Sequence, residues 1–542
     1  MKKIFVLFVY CLLSTVYCLS QSWQWAKHMG GASSDMGTLC TDSSGNCYLT
    51  GYFAKPNGIF GNDTLAVSGY WDDAFIVKIN NNGNFLWAKR AGGADPMSST
   101  SSDGGRAILY SKTDNTVIFA GAFDSNGPQI GSCNVLPNYP LTFLSKLDTS
   151  GNCIWSISEP IGGGLICLDN SGNIYMTGHV ITTSGFGCGT LPKGGFLAKY
   201  NSSGACMGIK HITDYGNIPR AIFYSNNKLY IQGNSANDTL LLDTAIAYCY
   251  PNDVFISEFD TAGNVQWVKT MGGPKNESSN SISLDGSGNI YTTGIFKDTA
   301  YFESTILTNG TNKDWFLSKH DSDGNLLWVR QAHISGTLWG GHTVSAAHGN
   351  IYVEGGFAGT ATFGTFTVTA NTSADLFVAR YDSNGNCIGV EQAGNYIFNG
   401  QGNIVNNSVG GFYIAGSFHD TTAFGSFPLI SYGVTAGGAD VFVAKHDAIT
   451  GVGELGRQVN DQLIIYANPT AGTCNIKIPD DFVQDKNLVL SIYDNTGKLV
   501  QEQKLEMNDG KTKLNLEAEA KGIYHAVLSN GKKNYNGKIV FE

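Results

Sequence analysis

Between Ser281 and Gln331 the chain runs through four short stretches, "SISLD", "NIYTTGIF", "DWFLSKHD" and "NLLWVRQ", in which apolar and polar residues nearly alternate. Period-two alternation predicts strands with one buried face, and the Gly, Asn, Asp and Ser clusters between them predict tight turns. The same phrase recurs along the chain. "TDSSGNCYLTG" ends at Gly51, "LDNSGNIYMTG" at Gly178, "LDGSGNIYTTG" at Gly294 and "AHGNIYVEG" at Gly355. Aligned on that closing glycine, units are centred at 51, 121, 178, 233, 294, 355 and 416, and an aligned Phe follows at 75, 143, 196, 255, 316, 377 and 442.

Seven units of four short strands predict an all-β chain, a seven-bladed β-propeller over residues 21–456. The ends agree with a ring. The seventh unit stops after a third strand, "DVFVAKHD" from Asp440, and the chain begins with an orphan fourth strand, "SWQWAKHMGG". Placing that strand on the seventh unit closes the propeller by N-terminal strand exchange and removes an exposed edge.

Composition fits this reading. Glycine is 68 of 542 residues, charged residues are 14% against about 25% usually, and aromatics are 12%. The net charge of −10 and the lack of a basic stripe argue against nucleic acid. Lys2 and Lys3 precede an apolar run from Ile4 to Cys18, which predicts a signal peptide at 1–20 rather than a membrane span. Beyond it no segment is long and apolar enough to span a bilayer as a helix. From residue 457 charge density doubles, with 11 Lys+Arg and 11 Asp+Glu in 86 residues, and short strands predict a small Ig-like β-sandwich at 457–542.

The pattern D-x-x-G-N-x-Y-x-T-G-x-F…D-x-F-(I/V)-x-K-x-D-x-x-G-N-x-x-W over Trp23 to Gly456 resembles the SBBP-type seven-bladed β-propeller repeats of exported bacterial proteins. The second, third and fourth copies depart from it in "SKTDNTVIFAGAF", "MTGHV" and "SNNKLYIQGNS". The motifs "YANPTAG" (Tyr466–Gly472), "IYDNTGKLV" (Ile492–Val500), "KGIYHAVLSNG" (Lys521–Gly531) and the closing "KIVF" resemble the type A C-terminal sorting domain of type IX secretion. Ala467 stands where that family usually has Pro. This second resemblance implies the type IX secretion machinery as partner of residues 457–542, passage across the outer membrane, and a secreted or cell-surface destination. Asp-Thr-apolar triplets at Asp63, Asp238, Asp243 and Asp298 resemble the O-glycan acceptor sites of such bacteria, although some belong to the repeat itself.

Most of the repeated chemistry has a structural explanation. The Asp-x-x-Gly-Asn cores offer one carboxylate each, two only at Asp321 with Asp323, whereas Ca²⁺ takes six to eight oxygens. An Asp that caps its own turn, with Gly at positive φ, needs less. Trp25, Trp87, Trp155, Trp267 and Trp328 recur at one outer-strand position, as packing between blades requires. His320 and His446 fill a slot held elsewhere by Ile79, Leu147, Tyr200, Phe259 and Tyr381, and His342 and His348 have no third ligand near them. Cys153, Cys206 and Cys387 replace Phe85, Val265 and Leu326 and read as small hydrophobes, which leaves Cys40–Cys47 as the expected disulfide. No metal site, cofactor or catalytic set is expected. Ligand-binding candidates are aromatic and polar residues on the variable face, formed by the second hairpins and the links between units: Trp71, Asp72, Trp339, His342 and Tyr396. The resulting expectation is an exported, non-catalytic binding or structural module for glycan, protein or matrix. The alternative is a secreted polysaccharide lyase or hydrolase using the same face, with Asp72 and His342 as an example of the acid and base it needs.

Overall fold

The computed structural model describes residues 23–542 apart from 32–33, 56, 69–71, 95–102, 124, 135–140, 160–161, 276, 348, 372, 394–402, 408–410, 433–438, 448–462, 467–469, 480–481, 483–487, 495–497, 506–509 and 531–533. The expected signal peptide lies outside the described residues. No helix among the described residues is long and apolar enough to cross a membrane. Two compact units divide the chain at Thr450–Gly451.

The first unit is a succession of antiparallel four-stranded meanders. Sheet one comprises Ser34–Thr41, Cys47–Phe53, Asp73–Ile79 and Phe85–Ala94. Sheet two comprises Gly104–Ser111, Thr116–Phe123, Leu141–Asp148 and Cys153–Glu159, and sheet three Gly162–Leu168, Ile174–Val180, Gly194–Tyr200 and Cys206–Thr213. Sheet four follows with Ile218–Ser225, Lys228–Asn234, Val254–Asp260 and Val265–Met271, and sheet five with Ser278–Leu284, Ile290–Phe302, Thr305–His320 and Leu326–Ile334. Sheet six comprises Leu338–Ala347, Asn350–Phe357, Asp375–Tyr381 and Cys387–Ala393. The last sheet takes Asn403–Asn406, Phe412–His419 and Ala439–His446 from the end of the unit and Trp23–Met29 from its beginning. That strand pairs antiparallel with Ala439–His446, from Trp23↔His446 to Met29↔Val441.

Each first strand touches the first strand of the next sheet, and Asn403–Asn406 touches Ser34–Thr41, so the succession returns on itself. Side chains tie these inner strands together. The Ile108 N–H donates to Thr38 Oγ1 at 2.9 Å, the Ala346 N–H to Ser283 Oγ at 3.1 Å and the Asn406 N–H to Ser345 Oγ at 3.0 Å. Large side chains from the second and third strands fill the space between neighbouring sheets, among them Phe53, Phe75 and Tyr413 where the last sheet meets the first. An all-β fold of radially repeated meanders with a shared inner wall is a β-propeller.

The sequence reading missed a small extra hairpin between the second and third strands. It appears as Asn57–Phe60 with Asp63–Ala66, Asn126–Ile130 with Cys133–Asn134, Ser184–Phe186 with Gly189–Leu191, Thr239–Leu242 with Ala245–Tyr248, Thr360–Phe363 with Phe366–Thr369, and Thr421–Phe424 with Phe427–Ile430. In sheet five the two long strands run on into it, through Thr299↔Thr308 to Phe302↔Thr305. Several of these hairpins add to the outer strand of the preceding sheet. Ile130 pairs with Ala91, Leu242 with Thr213 and Phe363 with Ala332.

These hairpins also correct the cysteine reading. The disulfides are Cys133–Cys153 and Cys188–Cys206, and Cys40 and Cys47 are free thiols. Thr41, not Cys40, faces Cys47 in the ladder, so the two side chains lie on opposite faces of the sheet and in different cores. Cys153 and Cys206 begin outer strands, where the hairpin turn folds over them. At the matching places a Cβ on Gly61 would stand 2.7 Å from the Phe85 ring, and one on Gly364 would stand 3.9 Å from Cys387.

The second unit has two sheets. Ile464–Tyr466, Thr473–Lys477 and Lys511–Asn515 form one; Leu499–Leu505, Leu488–Asp494, Gly522–Ser529 and Asn534–Phe541 form the other. Alternate residues Leu488, Leu490 and Ile492, and Tyr524, Ala526 and Leu528, meet Cys474, Ile476 and Leu514 in one core, as in a β-sandwich.

Candidate functional site

The recurring polar residues are engaged in building the scaffold. At Asp285 one carboxylate oxygen accepts the Ser287 and Asn289 N–H groups at 2.9 and 3.0 Å, and the other accepts the Asn289 side-chain amide at 2.8 Å. Gly288 turns the chain at φ 83° and donates its N–H to the Asp285 carbonyl. Asp42, Asp148, Asp169, Asp260, Asp321 and Asp382 repeat the arrangement. At Asp148, Asp260, Asp285 and Asp321 burial raises the carboxyl, yet the hydrogen bonds from the Asn side chain and turn amides together outweigh it and hold these four below the ordinary range.

Five of the turns that precede a fourth strand also receive a tryptophan from the neighbouring sheet. A Cβ added to Gly83, Gly151, Gly204, Gly324 or Gly385 would stand 2.7–3.1 Å from the ring of Trp25, Trp87, Trp155, Trp267 or Trp328 respectively. Four of these indoles donate N–H to a turn carbonyl: Trp25 to Asn81, Trp87 to Thr149, Trp155 to Ser202 and Trp328 to Ser383, at 3.0–3.2 Å. Lys78, Lys146 and Lys319 donate to the same Thr149, Ser202 and Ser383 carbonyls. The repeated Tyr completes the latch: Lys78 lies 5.0 Å from the Tyr48 ring centre, and the Tyr48 hydroxyl donates to Asp42. Where Gly208 replaces the tryptophan, Gly263 faces Lys210 instead. A cleft of about 430 Å³ opens there beside Tyr175, Lys199 and Met207.

The opposite end of the sheets carries a second set of polar groups. An Asp stands two residues before the aligned Phe of the third strand at 73, 253, 314, 375 and 440, fully or nearly buried in each case. The residue opposite the following Phe on the fourth strand supplies its partner. Arg90 Nη1 donates to Asp73 at 3.0 Å, and Gln331 and Gln392 donate to Asp314 and Asp375 at 2.6 Å. His28 Nδ1 lies 2.9 Å from Asp440. In sheet four that position is Thr270, which donates to the Tyr248 carbonyl instead. Asp253 therefore accepts the Tyr250 N–H at 2.8 Å but has no side-chain donor among the described residues. Burial raises its carboxyl to about 6. Beside it Glu277 is buried as well, and burial followed by the charge of Asp253 raises Glu277 to about 8.

An exposed aromatic cluster covers this region. Tyr248 is 84% exposed, Tyr250 45% and Tyr301 42%, with Ile246 and Ile306 exposed alongside. The Tyr250 and Tyr301 rings are stacked at 6.5 Å and 24°. The extra hairpin of sheet four presents Tyr248, and that of sheet five presents Tyr301, whose backbone exchanges hydrogen bonds with Gly272.

Of the residues nominated from sequence, Asp72 and His342 are not brought together. Trp71 and Tyr396 lie outside the described residues. Asp72 precedes the strand Asp73–Ile79, and its carbonyl accepts the Asp103 N–H at 3.1 Å. Trp339 and His342 were expected on a connecting loop but belong to Leu338–Ala347, the first strand of sheet six. Trp339 pairs with Gly356, and a bulge between Trp339 and Thr343 takes up Gly340 and Gly341. Asp72 and His342 thus sit on non-adjacent sheets. The signal for the tyrosine cluster was present in "YCYPND", two aromatics beside a turn in an otherwise polar segment.

Fold and tail together define a β-propeller protein equipped for export. Residues 464–542 match the family described as the secretion system C-terminal sorting domain, the type IX domain that directs proteins to the cell surface or the extracellular space. The chain is 22% identical over 355 residues to an uncharacterized WD repeat-containing protein, L264, of Acanthamoeba polyphaga mimivirus, which covers 55% of this chain. It spans only 22% of that curated relative's length. Similar solved structures include BamB from Moraxella catarrhalis, at 11% identity and TM-score 0.28 over 78% of this chain and 93% of that one. The extracellular domain of a hybrid two-component system, BT3049, from B. thetaiotaomicron is 10% identical with TM-score 0.23, covering 93% and 72%. An apocarotenoid oxygenase from Synechocystis is 10% identical with TM-score 0.37, covering 91% and 97%.

Proposed function

We propose that this protein is an exported seven-bladed β-propeller of the SBBP-repeat kind that acts as a non-catalytic recognition module, with an extracellular glycan as its ligand class. The observation that carries the reading is the cluster of Tyr248, Tyr250 and Tyr301, three exposed rings on adjacent hairpins. Exposed apolar clusters on rigid scaffolds mark binding surfaces, and phenol rings offer a flat apolar face with a polar edge, which suits a sugar ring. The repeat supports the reading from the other side, because its Asp, Lys, Tyr and Trp side chains are used in latching sheets. A signal peptide at 1–20 and a sorting domain at 457–542 would deliver the propeller, residues 21–456, to the surface or the medium.

The test is a polysaccharide and glycan array probed with the secreted protein, followed by a reducing-end and unsaturated-product assay on every hit. Saturable binding without product, weakened at least tenfold by Tyr248→Ala combined with Tyr301→Ala, supports the proposal. Product formation would make the protein a lyase or hydrolase, and binding indifferent to both tyrosines would place recognition elsewhere.

A further inference from the structure

The propeller contains two versions of one carboxylate pair, and only one has a counter-charge. In the first, Asp73 begins a third strand and Asp103 precedes the next sheet's first strand. A Cβ on Gly92 would stand 2.3 Å from an Asp73 oxygen and 2.9 Å from an Asp103 oxygen, so both carboxyls converge on one glycine. The Arg90 guanidinium, 3.0 Å from Asp73, supplies the positive charge. The Gly93 and Ser125 N–H groups each donate to Asp103.

The second version lies between sheets four and five. Asp253 takes the place of Asp73, and a Cβ on Gly272 would stand 2.1 Å from its Oδ1. Glu277 takes the place of Asp103, two residues before the strand position opposite Gly294, just as Asp103 stands two before the position opposite Gly121. Here Thr270 replaces Arg90. Asp253 is 4% exposed and Glu277 5%, and Asp253 Oδ1 and both carboxylate oxygens of Glu277 have no hydrogen-bond partner among the described residues. The exposed Lys275 forms no ion pair with either. Two buried carboxylates without a cation are an expensive arrangement.

We infer that the Asp253–Glu277 pair is a site for a hard divalent cation of the Ca²⁺ class, which stands where the Arg90 guanidinium stands in the first pair. Three unpartnered carboxylate oxygens, which carry a summed charge of −2 once both groups are ionised, suit an oxygen-seeking dication, and the absence of sulfur or imidazole donors disfavours softer metals. Among the described residues no group of three or more His, Cys, Asp and Glu gathers around a point, so water and main-chain carbonyls complete the sphere. The site lies beneath the tyrosine cluster, because the Asp253 carboxylate also holds the Tyr250 N–H. It does not depend on the glycan reading.

The experiment strips the secreted protein with EDTA and counts tightly bound Ca²⁺ by equilibrium dialysis and by titration calorimetry at pH 7.5. Glu277→Gln removes one charge and Thr270→Arg supplies the cation as Arg90 does, so the second variant keeps the pair satisfied and the fold intact. The expected result is at least one ion per chain in the parent protein and one fewer in each variant. The parent's melting temperature should rise with added Ca²⁺, and that of Thr270→Arg should lose this component. An ion count unchanged in Thr270→Arg, or no bound ion in the parent, would overturn the inference. Neither result touches the glycan array, so failure of one reading is distinguishable from failure of the other.

Discussion

His320 offers a direct measure of how far the repeat tolerates chemistry in an apolar slot. It is 3% exposed, with Nδ1 3.3 Å from the Gly324 carbonyl and Nε2 3.0 Å from Ser318 Oγ. A carbonyl only accepts, so Nδ1 carries the proton and Ser318 donates to Nε2 in the neutral ring. Burial, opposed by the Gly324 hydrogen bond and the charge of Asp321, lowers the imidazole to about 4. The folded value lies below the ordinary 6.5, so the unfolded chain takes up the proton first. Stability is fully present above about pH 6.5 and is lost as pH falls towards 4. The full window corresponds to about 3 kcal/mol, most of which is lost by pH 4.5. For a unit of this size that is roughly 3 °C in melting temperature. His320→Leu, which installs the residue found at Leu147, should remove this component. The assay is differential scanning calorimetry of the secreted protein and the variant at pH 7.5, 6, 5 and 4.5, followed on the propeller transition. The variant should gain about 3 °C on the parent between the first and last pH. A parent–variant difference that stays flat would refute the neutral, buried histidine.

The other predictions concern the same scaffold. Reduction of Cys133–Cys153 and Cys188–Cys206, which close loops of 20 and 18 residues, should destabilise the propeller by about 3 kcal/mol each, read from melting curves with and without reductant. Non-reducing peptide mapping should recover those two pairs and leave Cys40 and Cys47 alkylatable after unfolding. Gly324→Ala places a methyl 2.7 Å from the Trp267 ring at φ 80° and should cost about 2–4 kcal/mol by chemical denaturation, whereas Gly286→Ala, with open space around it, should cost less than about 1 kcal/mol.

The parts of the fold legible in sequence were those the repeat writes in side chains. "DGSGN" requires its Asp, Gly and Asn for one turn, and the Trp that lands on that glycine comes from the neighbouring unit, so both recur in phase. The extra hairpins were illegible for a physical reason. Their strands are mostly two to five residues long, half exposed, and in several cases held by pairing with another sheet, which local alternation cannot reveal. A faint signal existed in Phe60-Gly61, Phe363-Gly364 and Phe424-Gly425, each followed by a return strand. The disulfides were missed with them, because Cys133 and Cys188 lie in these hairpins, outside the aligned strands. Trp339 and His342 were placed in a link between units, whereas the ladder takes in both, with a bulge between Trp339 and Thr343.

Closure by Trp23–Met29 constrains how the propeller reaches its folded state. The strand that completes the last sheet pairs residues more than 400 positions apart, Trp23 with His446, and Trp25 then packs on Gly83 of the first sheet. Neither contact exists until the third strand of the last sheet, Ala439–His446, has emerged, so every earlier intermediate exposes an unpaired edge at both ends. The sorting domain follows Ala439–His446 in sequence and has its own core. The tail that directs the chain outward is therefore made after every strand of the propeller.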